Sequence, residues 1–277
     1  MTKRRKGLFP SVFLFFGILA FCNYASAAPP WVDRKLTLPR LNVAIDGALA
    51  VGHYDLGPAA GGENSGTGPA LDLEAYVGII RHLQLGFRQG IRLTDEAKAS
   101  GADNYGRMYD LQGFGNGGDT FANPEASVRY QFIDTDIFEI GVDGRLVLPI
   151  AQGSRFAFLA GAPIAIHIPT VLRIDTGGYI GFGFYDPTLV YFHIPGDLWV
   201  QLSPQFWLGP VTGLTVYNVR ANGVTNEQTS VSLGFGLGYQ VASWFDLKFL
   251  PIDWPAINQD RGVSNFGFSA GVEIRIE

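Results

Sequence analysis

The chain has 277 residues, of which 16% are charged, and it contains 36 Gly, 21 Phe and 11 Tyr against two Met. A soluble domain usually has about a quarter charged residues, so this composition indicates an apolar chain built from strands and turns rather than helices. Acidic residues outnumber basic ones by 25 to 20, which gives no electrostatic support to a nucleic-acid partner.

The N-terminus has the three parts of a secretory signal peptide. Four basic residues at 3–6 precede an apolar run that ends at Phe21, and Ala-Ser-Ala at 25–27 supplies the small residues of a cleavage site. We predict a signal peptide at residues 1–27 that is cleaved after Ala27. Cleavage also removes Cys22, the one cysteine of the sequence, so no disulfide is expected in the mature chain. Beyond this point no run of about 20 apolar residues occurs, which excludes spanning helices.

Residues 28–40 predict a short arm rather than a strand. The segment carries Pro29, Pro30, Trp31 and Pro39, and proline weakens any strand ladder that it enters. Two roles stay open for the arm: it either hooks a partner protein or simply leads into the first strand.

From residue 41 onward the sequence alternates with a period of two. Between Leu71 and Leu93 the alternate positions are Leu, Leu, Ala, Val and Ile, and the alternation resumes after a short break. A period of two predicts a strand, because successive side chains leave opposite faces. The pattern predicts twelve strands, at 41–56, 71–80, 83–93, 123–132, 136–150, 162–168, 170–182, 188–202, 204–218, 229–241, 243–254 and 264–276.

The two faces of these strands differ in a way that a water-soluble sheet does not allow. In the fifth strand an apolar row with Ile140 and Val142 lies opposite Glu139, Asp143 and Arg145. Small or charged residues cannot fill a dry core, since Gly packs nothing and an unpaired buried charge is costly. We therefore expect the apolar row to face lipid and the polar row to face a wet interior.

The connections alternate between short and long. Short joints are predicted at 80–82, 133–136, 168–169, 203–204 and 242–243, and longer Gly-rich or polar ones lie between them. An even number of strands, with both termini on the short-turn side, is typical of a transmembrane barrel. The alternative is a soluble β-sandwich or jelly roll, but its strands usually run about five or six residues and these are longer.

The C-terminus carries a further resemblance. In "SAGVEIRIE", Gly271, Ile274 and Ile276 match the insertion signal of bacterial outer-membrane proteins, although the chain ends on Glu277 and lacks a final Phe. The whole mature chain resembles the outer-membrane β-barrel superfamily and is porin-like in its pattern. The resemblance implies an all-β, antiparallel transmembrane barrel of about twelve strands (ten to fourteen) over residues 41–277. It also implies a Gram-negative outer membrane, with the arm and the short turns in the periplasm and the long loops outside.

Two groups of residues follow from this interpretation. The candidates that line the lumen are Asp46, Asp72, Glu74, Arg88, Arg92, Glu125, Arg129, Glu139, Asp143, Arg145, Glu273 and Arg275. The candidates for an aromatic girdle at the membrane interface are Trp199, Phe206, Trp207, Trp244 and Phe245. The loop at 94–123 either folds inward as a constriction or stays external.

The first functional hypothesis is a passive pore for ions or small solutes, in contact with outer-membrane lipid. The alternative is a structural or docking barrel of an envelope-spanning assembly, such as a secretion or motility apparatus, with partners bound by its loops or its arm. A lipid hydrolase is less favoured, because none of the four His lies in a recognisable catalytic pattern. We therefore predict no enzymatic activity, no cofactor and no metal site.

Overall fold

The computed structural model describes residues 29–55, 65–104, 119–150, 154–184, 188–221, 224–257 and 264–277, so the predicted signal peptide lies outside the described residues. Twelve antiparallel strands form one closed barrel in which chain neighbours pair and the first strand closes onto the last. They are β1 Val43–Asp55, β2 Ser65–Ile80, β3 Leu83–Arg92, β4 Glu125–Asp134, β5 Phe138–Val147, β6 Ala157–Ile168, β7 Leu172–Gly183, β8 Leu189–Gln201, β9 Phe206–Ala221, β10 Val224–Ala242, β11 Phe245–Ile257 and β12 Ser264–Ile276. The predicted fold class and strand number are confirmed. Among the described residues, no helix is long and apolar enough to cross a membrane.

The barrel has its apolar side outside. Phe87 and Val142 are half exposed, whereas Arg88 and Asp143, their neighbours on the opposite face, are almost completely buried. A soluble barrel shows the reverse, because it packs its apolar side chains inward. The period-two pattern therefore identified correctly which face of β3 and β5 points outward.

Closure depends on the first and last strands. Their ladder runs without a shift from Val43 opposite Ile276 to Asp55 opposite Ser264. A closed sheet has no free edge, so these backbone donors and acceptors are satisfied within the wall, as a lipid environment requires.

The two ends of the barrel differ. At the end that we call the short-turn end, Arg81 and His82 alone join β2 to β3, and two to four residues join each of the other hairpins there. His82 and Thr170 adopt positive φ angles of 68° and 63°, which tight turns require. At the long-loop end the strands extend further than predicted. For example, β2 begins at Ser65, whereas the predicted strand begins at residue 71. The prediction stopped short because residues 65–70 show no alternation of apolar and polar side chains.

Prolines within the wall interrupt the ladder without ending the strands. Pro163 pairs with Gly177, and Pro195 pairs with Gly213. Between β7 and β8 the ladder has a gap beside Pro195, since proline has no N–H to donate. This inner row of Gly and Pro carries no long side chain and leaves space in the lumen.

We expect a charge on the outer face to destabilise the barrel in lipid. Val142 lies in the middle of β5 and is half exposed, so Val142→Arg should lower the free energy of unfolding in phospholipid vesicles by about 2–4 kcal/mol. Val142→Ala is the matched control and should cost roughly 1 kcal/mol or less. Denaturant titration of vesicle-inserted protein measures both, and equal losses in the two variants would contradict a lipid-facing Val142.

Candidate functional site

Ion pairs between neighbouring strands cover one side of the inner wall. Arg88 on β3 lies 2.6 Å from Asp72 on β2 and 2.9 Å from Glu125 on β4. Glu74 adds its charge 3.8 Å from Arg88. Arg88 is almost completely buried, so these carboxylates supply the partners that its guanidinium needs.

The network continues around the wall in both directions. Arg129 on β4 lies 2.7 Å from Asp143 on β5, and Arg145 lies 3.6 Å from the same carboxylate. In the other direction, Glu273 on β12 pairs with Arg275. All twelve predicted lumen residues lie on the inner wall, and the remaining three, Asp46, Arg92 and Glu139, pair as described below.

A charged pair on β11, Asp246 and Lys248, was not predicted from the sequence. Lys248 forms ion pairs with both Asp46 on β1 and Glu273, and Asp246 is almost completely buried nearby. The signal was present, because Asp246 and Lys248 alternate with apolar residues along β11. Arg173 and Asp175 on β7, 2.8 Å apart, were missed in the same way.

Part of the long loop folds inward. Its helix α1, Asp95–Ser100, and a following 3-10 turn pack against β1, β2 and β3. Asp103 in that turn is fully buried and pairs with Arg92 and, at 3.1 Å, with Arg88. A Cβ at Gly68 would collide with the start of α1, so glycine makes room for the loop. The described part of the loop therefore takes the inward of the two predicted arrangements.

The N-terminal segment, which we define as Pro29–Asn42, fills the short-turn end of the lumen. Trp31 stacks on Trp207 with ring centroids 5.4 Å apart and meets Trp199 edge-on at 5.1 Å. Arg173 lies 5.2 Å above the same indole. Trp31 is thus held by three strands, and its neighbour Val32 is fully buried.

Arg34 anchors the segment by charge. Its guanidinium forms a bidentate pair with Asp246, with one bond of 3.0 Å, and lies 3.7 Å from Glu273. The carbonyl of Arg34 accepts a hydrogen bond from Arg173. Arg34 and Asp246 are both almost completely buried, so each depends on the other for its charge to be compensated.

Side chains of the wall satisfy the backbone of the segment, which has no ladder of its own. The N–H groups of Leu36 and Leu38 donate to Glu139 at 2.7 Å and to Gln84 at 2.9 Å. Val32 donates to Gln201 at 3.3 Å, and its carbonyl bonds His167 at 2.6 Å. These contacts involve strands around most of the barrel.

Glu139 contacts several donors at the short-turn end. Besides Leu36, it accepts from Gln131 at 2.9 Å and lies 3.2 Å from both His167 and Lys35. Partial burial lowers the pKa of the Lys35 ammonium, but its hydrogen bonds to Asp134 and Glu139 and their charges outweigh burial. The pKa therefore lies above its ordinary value, and Lys35 stays charged.

The sequence predicts a short arm rather than a strand at residues 28–40, and the structure places residues 29–40 of it inside the lumen. Its prolines do prevent a strand, but the N–H groups left without ladder partners are bonded within the lumen instead of by water. Local sequence shows no sign of this, since the partners are distant in the chain.

The predicted aromatic girdle is wrong for Trp199 and Trp207. Both lie on the inner face, where Trp207 is almost completely buried against Trp31. Their positions near the β8–β9 turn indicated their distance from the short-turn end, but not whether their side chains point outward or into the lumen. Phe206 and Phe245 take outward strand positions at the short-turn end, and Trp244 lies in the turn with its ring 5.6 Å from Phe245.

The described part of the barrel contains two adjoining cavities beside the N-terminal segment. One, of about 630 Å³, surrounds the N-terminal segment at the short-turn end. The other, of about 380 Å³, lies deeper between the segment and the wall. Asp46, Tyr76 and Glu273 line both, so the two cavities adjoin along β12, β1 and β2.

Comparison with known proteins supports the architecture. An outer-membrane channel from Pseudomonas putida F1 covers 91% of this chain and 100% of its own, with a TM-score of 0.58 at 11% identity. The chain has the fold of a bacterial outer-membrane β-barrel. The NanC porin covers 82% of the barrel chain and 98% of its own, with a TM-score of 0.55 at 9% identity. No protein-family model and no curated protein matches the sequence.

We expect the Arg34–Asp246 pair to hold the N-terminal segment inside the outer-membrane barrel. The predicted mature chain has no cysteine, so a Val32→Cys variant provides a single label site that is fully buried. Adding Arg34→Met leaves Asp246 buried without its partner while the segment is docked. This should destabilise the docked state by about 3 kcal/mol, so the equilibrium constant for release of the segment from the lumen should rise roughly a hundredfold. Labelling by a water-soluble maleimide should accelerate accordingly.

The matched control is Arg40→Met in the same Val32→Cys background, which removes an equal charge from an exposed position of the segment. It should leave the labelling rate unchanged. Equal rates in the Arg34 and Arg40 variants would show that the ion pair does not hold the segment.

Proposed function

We propose that the protein is an outer-membrane channel through which ions and small polar solutes pass without expenditure of energy. The observation that supports it best is the adjoining pair of cavities, which extends past the N-terminal segment along β12, β1 and β2. In this proposal the segment narrows the bore and leaves a passage on one side.

The charges beside the passage suit water and ions. Asp46 and Lys248 keep 27% and 32% of their side-chain surface exposed, although they are paired with each other. Arg129 reaches the same space from the opposite side, from β4. A passage lined by both signs of charge solvates a permeating ion and sorts it by its own sign.

The passage is narrow. Twelve strands enclose a bore wider than that of a side-chain-filled eight-stranded barrel and narrower than that of a general porin. The N-terminal segment and α1 both occupy part of it. We therefore propose that small solutes diffuse through the channel between the cell exterior and the periplasm. The protein itself is exported by a signal peptide that is cleaved after Ala27.

We propose no catalytic role. His167 bonds the carbonyl of Val32 and lies beside Glu139, so it acts in holding the segment. His193 bonds Thr215 at 2.8 Å, but both are almost completely buried, where a lipid substrate has no access. The docking alternative loses one of its proposed surfaces, because the arm that was to bind a partner lies inside the barrel.

Removal of the segment should widen the channel. A mature protein that lacks residues 29–38 should show a single-channel conductance in planar bilayers at least about twice that of the intact protein, because the segment fills the short-turn end. Heat modifiability on gels and strand content by circular dichroism serve as folding controls. An unchanged conductance in a folded deletion variant would contradict the proposed path, and the absence of conductance in both would contradict the channel.

Arg129 should influence ion preference. The sequence predicts that substitution of Arg88 or Arg129 favours cations, but Arg88 is buried among three carboxylates and serves stability. Arg129→Gln removes a positive charge beside the passage, so the K⁺-to-Cl⁻ permeability ratio should rise roughly twofold, as read from the reversal potential in a salt gradient.

The matched control is Arg155→Gln, which removes an equal charge from an exposed position beside β6. Its permeability ratio should stay at the value of the unmodified protein. The same ratio in both variants would mean that Arg129 does not face the conduction path.

A further inference from the structure

The deeper cavity, which we call the chamber, has two unlike sides. Its floor is the N-terminal segment, through Trp31 and Leu36. Asp46, Glu74 and Glu273 line one side, whereas the other, mainly apolar side comprises Trp199, Val211 and Gly236 with Asp197 beside them. Passage of inorganic ions alone does not require the apolar surface that includes Trp199.

The lining of the chamber as a whole is acidic. Six carboxylate side chains line it against four cationic ones. Asp46 and Glu74 keep 27% and 16% of their side-chain surfaces exposed, so they are not closed off by their partners. An excess of carboxylates favours cations over anions of the same size.

The apolar side offers an aromatic surface. One face of Trp31 is covered by Trp207 and another side by Arg173, whereas Trp199 meets Trp31 only edge-on and is not fully buried. A Cβ at Gly236 would collide with the Trp199 ring, so glycine at this position of β10 makes room for the indole, which packs against the wall. Trp199 thus presents a positioned ring to the chamber.

The volume fits one small organic molecule. At about 380 Å³ the chamber lies within the range of roughly 300–1,000 Å³ that small-molecule sites occupy. The inner row of Gly and Pro, which includes Pro163 in the chamber wall, keeps this space free of long side chains.

We propose that the chamber binds a small organic cation with an apolar, ring-containing body, and that such a cation is a preferred solute of the channel. This inference rests on the proposed function for its second half. The ammonium group lies towards Asp46 and Glu74, and the ring packs on Trp199, where an aromatic contact adds stabilisation beyond the burial of apolar area.

Three probes of one size test the class of ligand. Benzylammonium, benzamide and benzoate share a ring and differ in charge. Titration calorimetry of the refolded mature protein in detergent micelles should show benzylammonium binding at least about fivefold more tightly than either of the others. Reversal potentials in planar bilayers, with benzylammonium on one side and K⁺ on the other, measure its passage.

Variants separate the two sides of the chamber. Asp46→Asn should weaken benzylammonium about fivefold and leave benzamide unchanged, whereas Trp199→Leu should weaken both. Val211→Trp fills the chamber without altering charge and should abolish binding of all three. Its matched control is Leu214→Trp, which lies on the outer face of the same strand and should bind like the unmodified protein.

The outcomes distinguish this inference from the proposed function. Equal binding of the three probes, or no binding, by a protein that conducts KCl would overturn the chamber site and keep the channel. Selective binding of benzylammonium by a folded barrel without KCl conductance would support the site and overturn its role in passage.

Discussion

Charges that point into this barrel are stable only because other charges reach them. Removal of one partner from a buried ion pair typically costs about 3–5 kcal/mol, since the remaining charge is left uncompensated. Arg88 joins β2, β4 and the inward loop through three carboxylates, and Arg34 joins the N-terminal segment to β11. The same requirement therefore links neighbouring strands of the wall and fixes the two segments that lie within it.

This constraint connects the outer surface to the interior. Lipid accepts the apolar side chains outside, so the polar ones have nowhere to lie but the lumen. Asp103 and Arg34 bring their own elements inward as counter-charges rather than as fillers of an apolar core. The lumen that results is not empty, since both elements occupy part of it, and two adjoining cavities lie beside the N-terminal segment.

Alternation along the chain was enough to predict the strands and their faces. Each strand lies over or near its predicted range, because one neighbour in two must face lipid. Strand ends such as Ser65 were missed, since polar residues above the membrane need not alternate. Trp199 and Trp207 were assigned to the wrong face because nearness to a turn was weighed above their strand parity, which places them with Asp197.

Contacts between distant parts of the chain could not be predicted from the local sequence pattern. Nothing near Leu36 or Leu38 indicates that Glu139 and Gln84 would accept from their N–H groups. The prolines of the segment correctly excluded a strand, but they say nothing of where an extended segment docks. Lys248 and Asp246 could have been found, because β11 alternates as clearly as its neighbours do.

The most direct test of this account is hydrogen exchange at the backbone N–H groups of Val32, Leu36 and Leu38 in vesicle-inserted protein. Val32 lies in a short 3-10 turn, Trp31–Asp33, and Leu36 and Leu38 lie in no helix or strand, yet their N–H groups donate to Gln201, Glu139 and Gln84 inside the lumen. The account predicts strong protection that approaches that of the strand amides. Exchange at the rate of an unstructured peptide, beside protected strands, would show that the segment does not reside in the barrel.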